Sequence, residues 1–365
     1  MIIRPFAFIL LLLSLSSWAT AQTMSIVIDS NLNELATKKC FNRWIEDLEN
    51  KGYLIFYHSL KKNEQTLERY KSIIRSDSPT TLFLLGDLAI PKMDLIQRDK
   101  TDRTKNKIVN TESLFPLYST RDFPKLGKDS DKTYFKSIDI SIGVLNLIYH
   151  RAPNYSSNGI ISQYCDYFNK VTKYKNCEQK DELKTGSMVD LDFNQLDDDI
   201  FHLDRGAKKY KALDDLIQEN QLDFSFLAAH ANSKKIYFGK GEKQQTLTIN
   251  SLLKKKISTR FFNLYSCRIL EDNGKYSIGK AFFGKHSETL GLLGSAKSGA
   301  LAYPQIYFDL LKKGYNFGDA LRRYIKYYAV TYGGSDSYFD NNGYHSGLIF
   351  YGDPTLDLHA CKELE

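Results

Sequence analysis

FFNLYSCRILED, residues 261–272, is an apolar run that stops on chemistry. Phe261 to Tyr265 are mostly apolar and predict a buried strand. That strand delivers a small Ser266 and then Cys267 where it should end. Outward from it the pattern recurs. DFSFLAAH (223–230) is a second strand, ending in His230, and TLGLLGSA (289–296) is a third. Helical spacing near 206–219, 304–312 and 317–330 lies around them, the last stretch carrying Phe317, Ala320, Leu321, Tyr324, Ile325 and Tyr328 on one face. Strands alternating with helices predict an α/β fold with a parallel sheet and crossover helices.

The first half reads the same way. SIVID (25–29), YLIFYH (53–58), TLFLLGD (81–87) and IDISIG (138–143) are strand candidates. A helical stretch places Leu32, Leu35, Ala36, Phe41, Trp44, Ile45 and Leu48 on one face, and a second helix is expected near 64–75. Residues 92–137 read as polar and irregular, a helix is expected near 159–174, and DLDFNQLDDDIF (190–201) as an acidic, solvated loop. No internal repeat is visible. The expected organisation is a signal peptide over 1–21, an N-terminal α/β subdomain over 22–150, a connecting helix and acidic loop over 151–205, and a second α/β subdomain over 206–365.

Composition bounds the function. The chain has 365 residues, 42% hydrophobic and 25% charged, a globular balance long enough for a sizeable core. Its start, MIIRPFAFILLLLSLSSWATAQT, has one cation at Arg4, an apolar run over 6–13 and the small-residue site Ala19-Thr20-Ala21. That is the form of a secretory signal cleaved after Ala21, and the apolar run is short of the ~20 residues a spanning helix needs. A secreted or periplasmic protein with no membrane span is expected. Loss of Arg4 lowers the formal charge of +7 by one. Basic runs such as Lys254-Lys255-Lys256 have no aromatic partner module, so no nucleic-acid partner is expected. The five cysteines are Cys40, Cys165, Cys177, Cys267 and Cys361. In an oxidising compartment an odd number leaves a thiol over, and if four pair, three connectivities are open.

His230 and Cys267 end consecutive strands of the second half. In a parallel sheet both would emerge at one carboxyl edge, where open α/β proteins bind ligands. A thiol and an imidazole there are the parts of a cysteine nucleophile site. Cys267 as thiolate attacks an acyl carbon, His230 gives a proton to the leaving amine, and backbone N–H groups hold the oxyanion. Free cysteine and lone histidine are also common structural residues.

With these residues in place, the chain resembles the clan CD cysteine peptidases, a group that includes caspases, legumains and gingipains, and within it the gingipain family. Beside the two strand ends, the resemblance rests on TLFLLGDLAIP (81–91), SIGKAFF (277–283), GLLGSAKSGAL (291–301), KKGYNFGDAL (312–321) and FYGDPTLDL (350–358), which occur in order. It implies a caspase-like, mainly parallel sheet flanked by helices, preceded by a smaller N-terminal α/β subdomain. It also implies a cysteine endopeptidase acting on protein or peptide substrates, with Cys267 as nucleophile, His230 as general acid and the N–H groups of Cys267 and Ala231 as the oxyanion site. Two positions depart from the family pattern: Ala231 where it has Gly, and Val144 where it has Arg. Relatives that cleave after Arg or Lys need a carboxylate in the pocket, and Glu271, Asp272 and Asp336, with Ser295 beside them, are the candidates. No organic cofactor is required. The family binds structural calcium, for which the acidic loop at 190–199 offers oxygen ligands.

Other readings of the same residues are a non-catalytic secreted binding module on this fold and a transpeptidase or amidase using the same dyad. GLLGSAKS (291–298) misses a phosphate-binding loop by one glycine, at Ala296. No Gly-x-Ser-x-Gly elbow surrounds Ser266, and no His/Cys/Asp cluster has zinc-ligand spacing, so no catalytic metal is expected. His58 and His345 are alternative bases; His58 reads as structural, His345 as loop polarity that could line the cleft, and Gly352-Asp353-Pro354 as a turn.

Overall fold

The computed structural model describes residues 22–98, 106–121, 137–147, 157–180, 182–190, 208–210, 212–218, 222–239, 244–271, 277–297, 304–332 and 347–361. The expected signal peptide, nearly all of the acidic loop, Asp272, Asp336 and His345 lie outside them. The chain opens with β1 (Gln22–Asp29), whose last six residues are all buried. Continuous burial, rather than alternation, marks a strand covered on both faces. The helical stretch that follows divides in two. Asp29 accepts from Asn31 N and caps a 3₁₀ turn over Ser30–Thr37, Lys38 is extended, and α1 (Lys39–Asn50) then begins. Next come β2 (Tyr53–Leu60), α2 (Leu67–Asp77), capped by Thr66, and β3 (Thr81–Leu85). The segment read as irregular contains an antiparallel hairpin, β4 (Lys92–Arg98) and β5 (Asn106–Glu112). β6 (Ser141–Leu145) completes the first half.

The second half runs through α3 (Ser157–Lys175), β7 (Gln179–Lys180), β8 (Thr185–Val189), β9 (Lys208–Lys209), α4 (Leu213–Gln218) and β10 (Phe224–Ala228). It continues with β11 (His230–Ala231), β12 (Lys235–Phe238), β13 (Gln245–Thr248), α5 (Ile249–Leu252) and β14 (Phe261–Tyr265). α6 (Ile278–Ala281), β15 (Gly291–Ser295), α7 (Pro304–Lys312), α8 (Phe317–Tyr332), β16 (Leu348–Gly352) and β17 (Ala360–Cys361) end it.

Strands of both halves join one ten-stranded sheet in the order β2-β1-β3-β6-β16-β15-β14-β10-β8-β9. Every pairing is parallel except β15 with β16. That single reversal splits the sheet into two parallel blocks of opposite direction. The carboxyl ends of β1, β2, β3, β6 and β16 therefore lie on one edge, and those of β8, β10, β14 and β15 on the other. The chain is thus α/β with a large, mostly parallel central sheet flanked by helices. Among the described residues no helix is long and apolar enough to cross a membrane.

The helix α3 lies along the first of these edges and stitches the blocks together. Tyr164 Oη donates to Leu145 O at the end of β6 (3.2 Å), and Tyr167 Oη donates to Leu290 O just ahead of β15 (2.8 Å). Tyr174 packs edge-on against Phe261, the first residue of β14. Lys175 Nζ reaches Asp353, just past β16, at 3.2 Å. Asp353 is fully buried and also accepts from Trp44 Nε1 of α1 (2.8 Å), Thr355 N (2.9 Å) and Thr355 Oγ1 (2.6 Å), while its own N–H donates to Tyr167 Oη (2.7 Å). Burial alone would raise its carboxyl, but the Lys175 charge and the hydrogen bonds from Thr355 and Trp44 outweigh it and hold the group below the ordinary carboxylate range. Gly143 of β6 faces this turn so closely that a Cβ would fall 2.5 Å from Pro354 Cδ and 2.6 Å from Gly352 O. Beside it, a disulfide joins Cys40 of α1 to Cys165 of α3.

Asp353→Asn leaves the buried Lys175 ammonium unpaired, and is expected to cost about 3–5 kcal/mol of stability. Chemical denaturation of the variant beside Lys175→Met/Asp353→Asn, which removes both charges, should show the double change recovering part of that loss.

Candidate active site

β10 and β14 are parallel neighbours in register, with Ala228 opposite Tyr265. Ala229 N donates to Tyr265 O at 3.2 Å and carries the ladder one step further. His230 and Cys267 each follow their aligned residue by two positions. Both therefore leave the same end of adjacent strands, which in sheets lie about 4.8 Å apart. His230 is exposed and Cys267 half-buried. Among the described residues of the 36 positions between them there is no long crossover helix, but the small antiparallel sheet β11-β12-β13 and the one-turn α5.

Cys267 opens a turn in which Arg268 has φ +56°, one of two described non-glycine residues with positive φ. Left-handed backbone at a residue with a Cβ is costly and persists where its surroundings impose it. Here the surroundings are the end of β15 and the start of α6. Arg268 N donates to Lys297 O (2.8 Å) and Leu270 N to Ser295 O (2.9 Å). From α6, Gly279 N donates to Ile269 O (3.0 Å), while its neighbour Ile278 N donates to Ser233 O (2.8 Å), three residues past His230. Consecutive amides of one helical turn thus hold the cysteine turn and the histidine hairpin. Gly279 permits this approach, since a Cβ there would meet Leu270 Cδ2 at 2.4 Å.

Ala231 pairs with Ile236 in the extended β11–β12 ladder and is not in the positive-φ region, so its backbone needs no glycine. Ser295 is fully buried and its hydroxyl donates to Lys297 O (2.9 Å), which ties it to holding the strand end rather than to lining a pocket. Glu271 is half-buried and forms a loose ion pair with Arg268, Nε to Oε2 at 3.9 Å. His58 sits on β2, whose carboxyl end is on the opposite edge of the sheet, and its Nε2 lies 2.5 Å from Asp77 Oδ2. Asp77 also accepts from Ser25 and Ser76. Burial works against ionisation there, but these hydrogen bonds prevail and keep Asp77 below the usual carboxylate range. Asp190, the first residue of the acidic stretch, is not solvated. It is buried at the end of β8 and accepts from Gly239 N at 3.0 Å, tying the far end of β12 to the main sheet.

Among the cysteines, Cys40 and Cys165 are joined and Cys177 is also in a disulfide, whereas Cys267 keeps its thiol. Just ahead of it, β14 and the residue that follows the strand carry buried polar atoms with no partner among the described residues, both amide atoms of Asn263 and the hydroxyl of Ser266. Buried polar atoms without a partner are few in folded proteins and call for an explanation. No group of three or more metal-ligating side chains occurs among the described residues.

Two neighbours of Cys267 escaped the sequence reading. Arg268 carries no local signal for a left-handed turn, whereas Lys297 could have been noticed as the first charge after GLLGSA. Burial pushes the Lys297 amine down to about 7. No family model matches the chain, and no curated protein matches it.

The folded-state depression of Lys297 has a definite sign. Between about pH 7 and the ordinary lysine value near 10.4 the unfolded chain binds the extra proton, so stability rises with pH across that window. Lys297→Met is expected to flatten this slope and to gain most at pH 7 and below. Urea denaturation at pH 6, 8 and 10 would show equal gains at all three if Lys297 had an ordinary amine.

Proposed function

We propose that the protein is a secreted cysteine endopeptidase of the gingipain type, on a caspase-like arrangement of the second strand block. The observation that carries the reading is the β10–β14 register, which gives the thiol outside the disulfides and an exposed imidazole equal offsets past one aligned pair. The strained Arg268 next to Cys267 and the α6 amides that hold both loops support it further. Disulfides in the described chain agree with an oxidising compartment.

In the reaction, Cys267 Sγ, as thiolate, adds to the carbonyl carbon of the scissile bond. The oxyanion is held by the N–H groups of Cys267 and Ala231. Collapse breaks the C–N bond, and the His230 imidazolium gives its proton to the leaving amine. The thioester is then attacked by water, whose proton returns to His230, and the thiolate leaves with release of the acid. The proposal extends to a basic P1 residue read by Glu271, which would exchange Arg268 for the substrate cation. Calcium, if bound, would be structural, through the acidic loop.

The test is turnover of a fluorogenic peptide library by residues 22–365 under reducing conditions, with and without calcium. Cys267→Ala is expected to fall to background and His230→Ala by about 10²–10⁴-fold. Glu271→Gln should lower kcat/KM for Arg and Lys substrates while leaving neutral ones unchanged. A folded wild type that turns over nothing, and whose Cys267 resists electrophilic peptide probes, would overturn the reading in favour of a binding module.

A further inference from the structure

Across the sheet from Cys267, α1 and α3 enclose an open groove of ≈ 710 Å³. The Cys40–Cys165 disulfide lies in its wall and fixes the two helices relative to each other. Among the described residues, four cations line it, Lys38, Lys39, Arg43 and Lys173, and no carboxylate does. Lys38 is engaged by Glu34 at 2.6 Å. The other three have no ion pair among the described residues. Lys39 and Arg43 are one helical turn apart, a like-charge spacing that destabilises a helix when nothing lies between. Glu46 is the nearest carboxylate on α1, in an adjoining hollow with Lys39 and Arg43.

Two further features point to the kind of ligand. The N-cap of α1, Lys38, makes no side-chain cap, and the amides of Lys39 and Cys40 have no acceptor among the described residues. They are the positive end of a twelve-residue helix whose first two residues line the groove. Independently, Thr172 of α3 lines the groove with only 9% of its surface exposed, and its hydroxyl has no partner among the described residues. A helical threonine commonly satisfies that hydroxyl on the carbonyl one turn back. In Thr172 it does not, although its own carbonyl is used twice, by the backbone and side-chain nitrogens of Asn176. A buried donor left over beside unpaired cations and open helix amides is the donor set of an oxyanion site.

We infer that this groove binds a phosphate or sulfate group, held by Arg43, Lys173, the first amides of α1 and the Thr172 hydroxyl. The inference is independent of any activity at Cys267. Both sources of such a group, the free ion and a monoester on a sugar, share this chemistry.

Isothermal calorimetry on the disulfide-intact protein, at constant ionic strength in chloride, would use inorganic phosphate, inorganic sulfate, glucose 6-phosphate and glucose 6-sulfate. Saturable binding of at least one is expected, with Arg43→Ala and Lys173→Ala each weakening it about tenfold. Thr172→Val should weaken it several-fold, a loss that charge alone would not produce. Tighter binding of the esters would assign the group to a larger molecule, and tighter binding of the ions to free anion. Heats no greater than those of added chloride would overturn the inference. So would undiminished binding by the three variants with unfolding temperatures like the wild type, or an equal loss in Lys254→Ala, away from the groove.

Discussion

The Asp353 carboxylate is the tie between two sets of strands that run in opposite directions. β6 and β16 meet through a single register pair, Val144 with Tyr351, so the ladder itself does little to bind the first four strands to the rest. What binds them is a buried anion completely enclosed by donors. Removing a carboxylate from water is expensive, and the expense is offset only while Trp44, Lys175 and Thr355 are all in place. Those partners belong to α1, α3 and the segment after β16, so the charge is stable in one arrangement of these elements and in no near neighbour of it. Tyr167 extends the constraint to β15 by accepting from Asp353 N and donating to Leu290 O. A turn that sequence reads as punctuation is thus the point from which the relative position of both blocks is set.

Strands covered on both faces were legible because burial writes itself as an unbroken apolar run. Ile26 to Ile28, Leu82 to Leu85, Phe224 to Ala228 and Leu290 to Leu293 are all almost fully inaccessible. β8 was not legible. Its residues, Thr-Gly-Ser-Met-Val, lack the branched and aromatic side chains that announce a strand, and Gly186 is there because a Cβ would fall 2.7 Å from Leu222 Cδ1. The break before α1 was hidden for another reason: Leu32 and Leu35 fit both 3₁₀ and α-helical spacing, so periodicity could not separate them. Reversal of strand direction at β15–β16 leaves no local trace at all, since an apolar strand reads the same in either pairing.

The site divides in the same way. Cys267 and His230 stood out as polar residues ending apolar runs. The groups around them did not, because their roles arise from tertiary contact. Asp190 looks like one more member of an acidic loop until the β8–β10 pairing buries it. Arg268 adopts its left-handed backbone because Lys297 O accepts its own amide and Ser295 O that of Leu270. The two candidate residues were readable one at a time, whereas the scaffold that places them was not.

Opposed strand blocks also separate two kinds of sulfur. The Cys40–Cys165 bond and Cys177 lie along the edge that α3 crosses, and Cys267 leaves the other. Five strand residues between the edges amount to something on the order of 17 Å. A thiolate reactive enough to attack an acyl carbon also attacks disulfides, through direct contact of sulfur with sulfur. For the cysteine peptidase proposed above, a thiol at the far end of the strands from the chain's own disulfides is kept from exchange that would scramble them. The reversal at β15–β16 makes this arrangement available: the first block presents to the α3 edge the ends from which α1 and its cysteine depart, while the second presents its own carboxyl ends, and the thiol, to the opposite side.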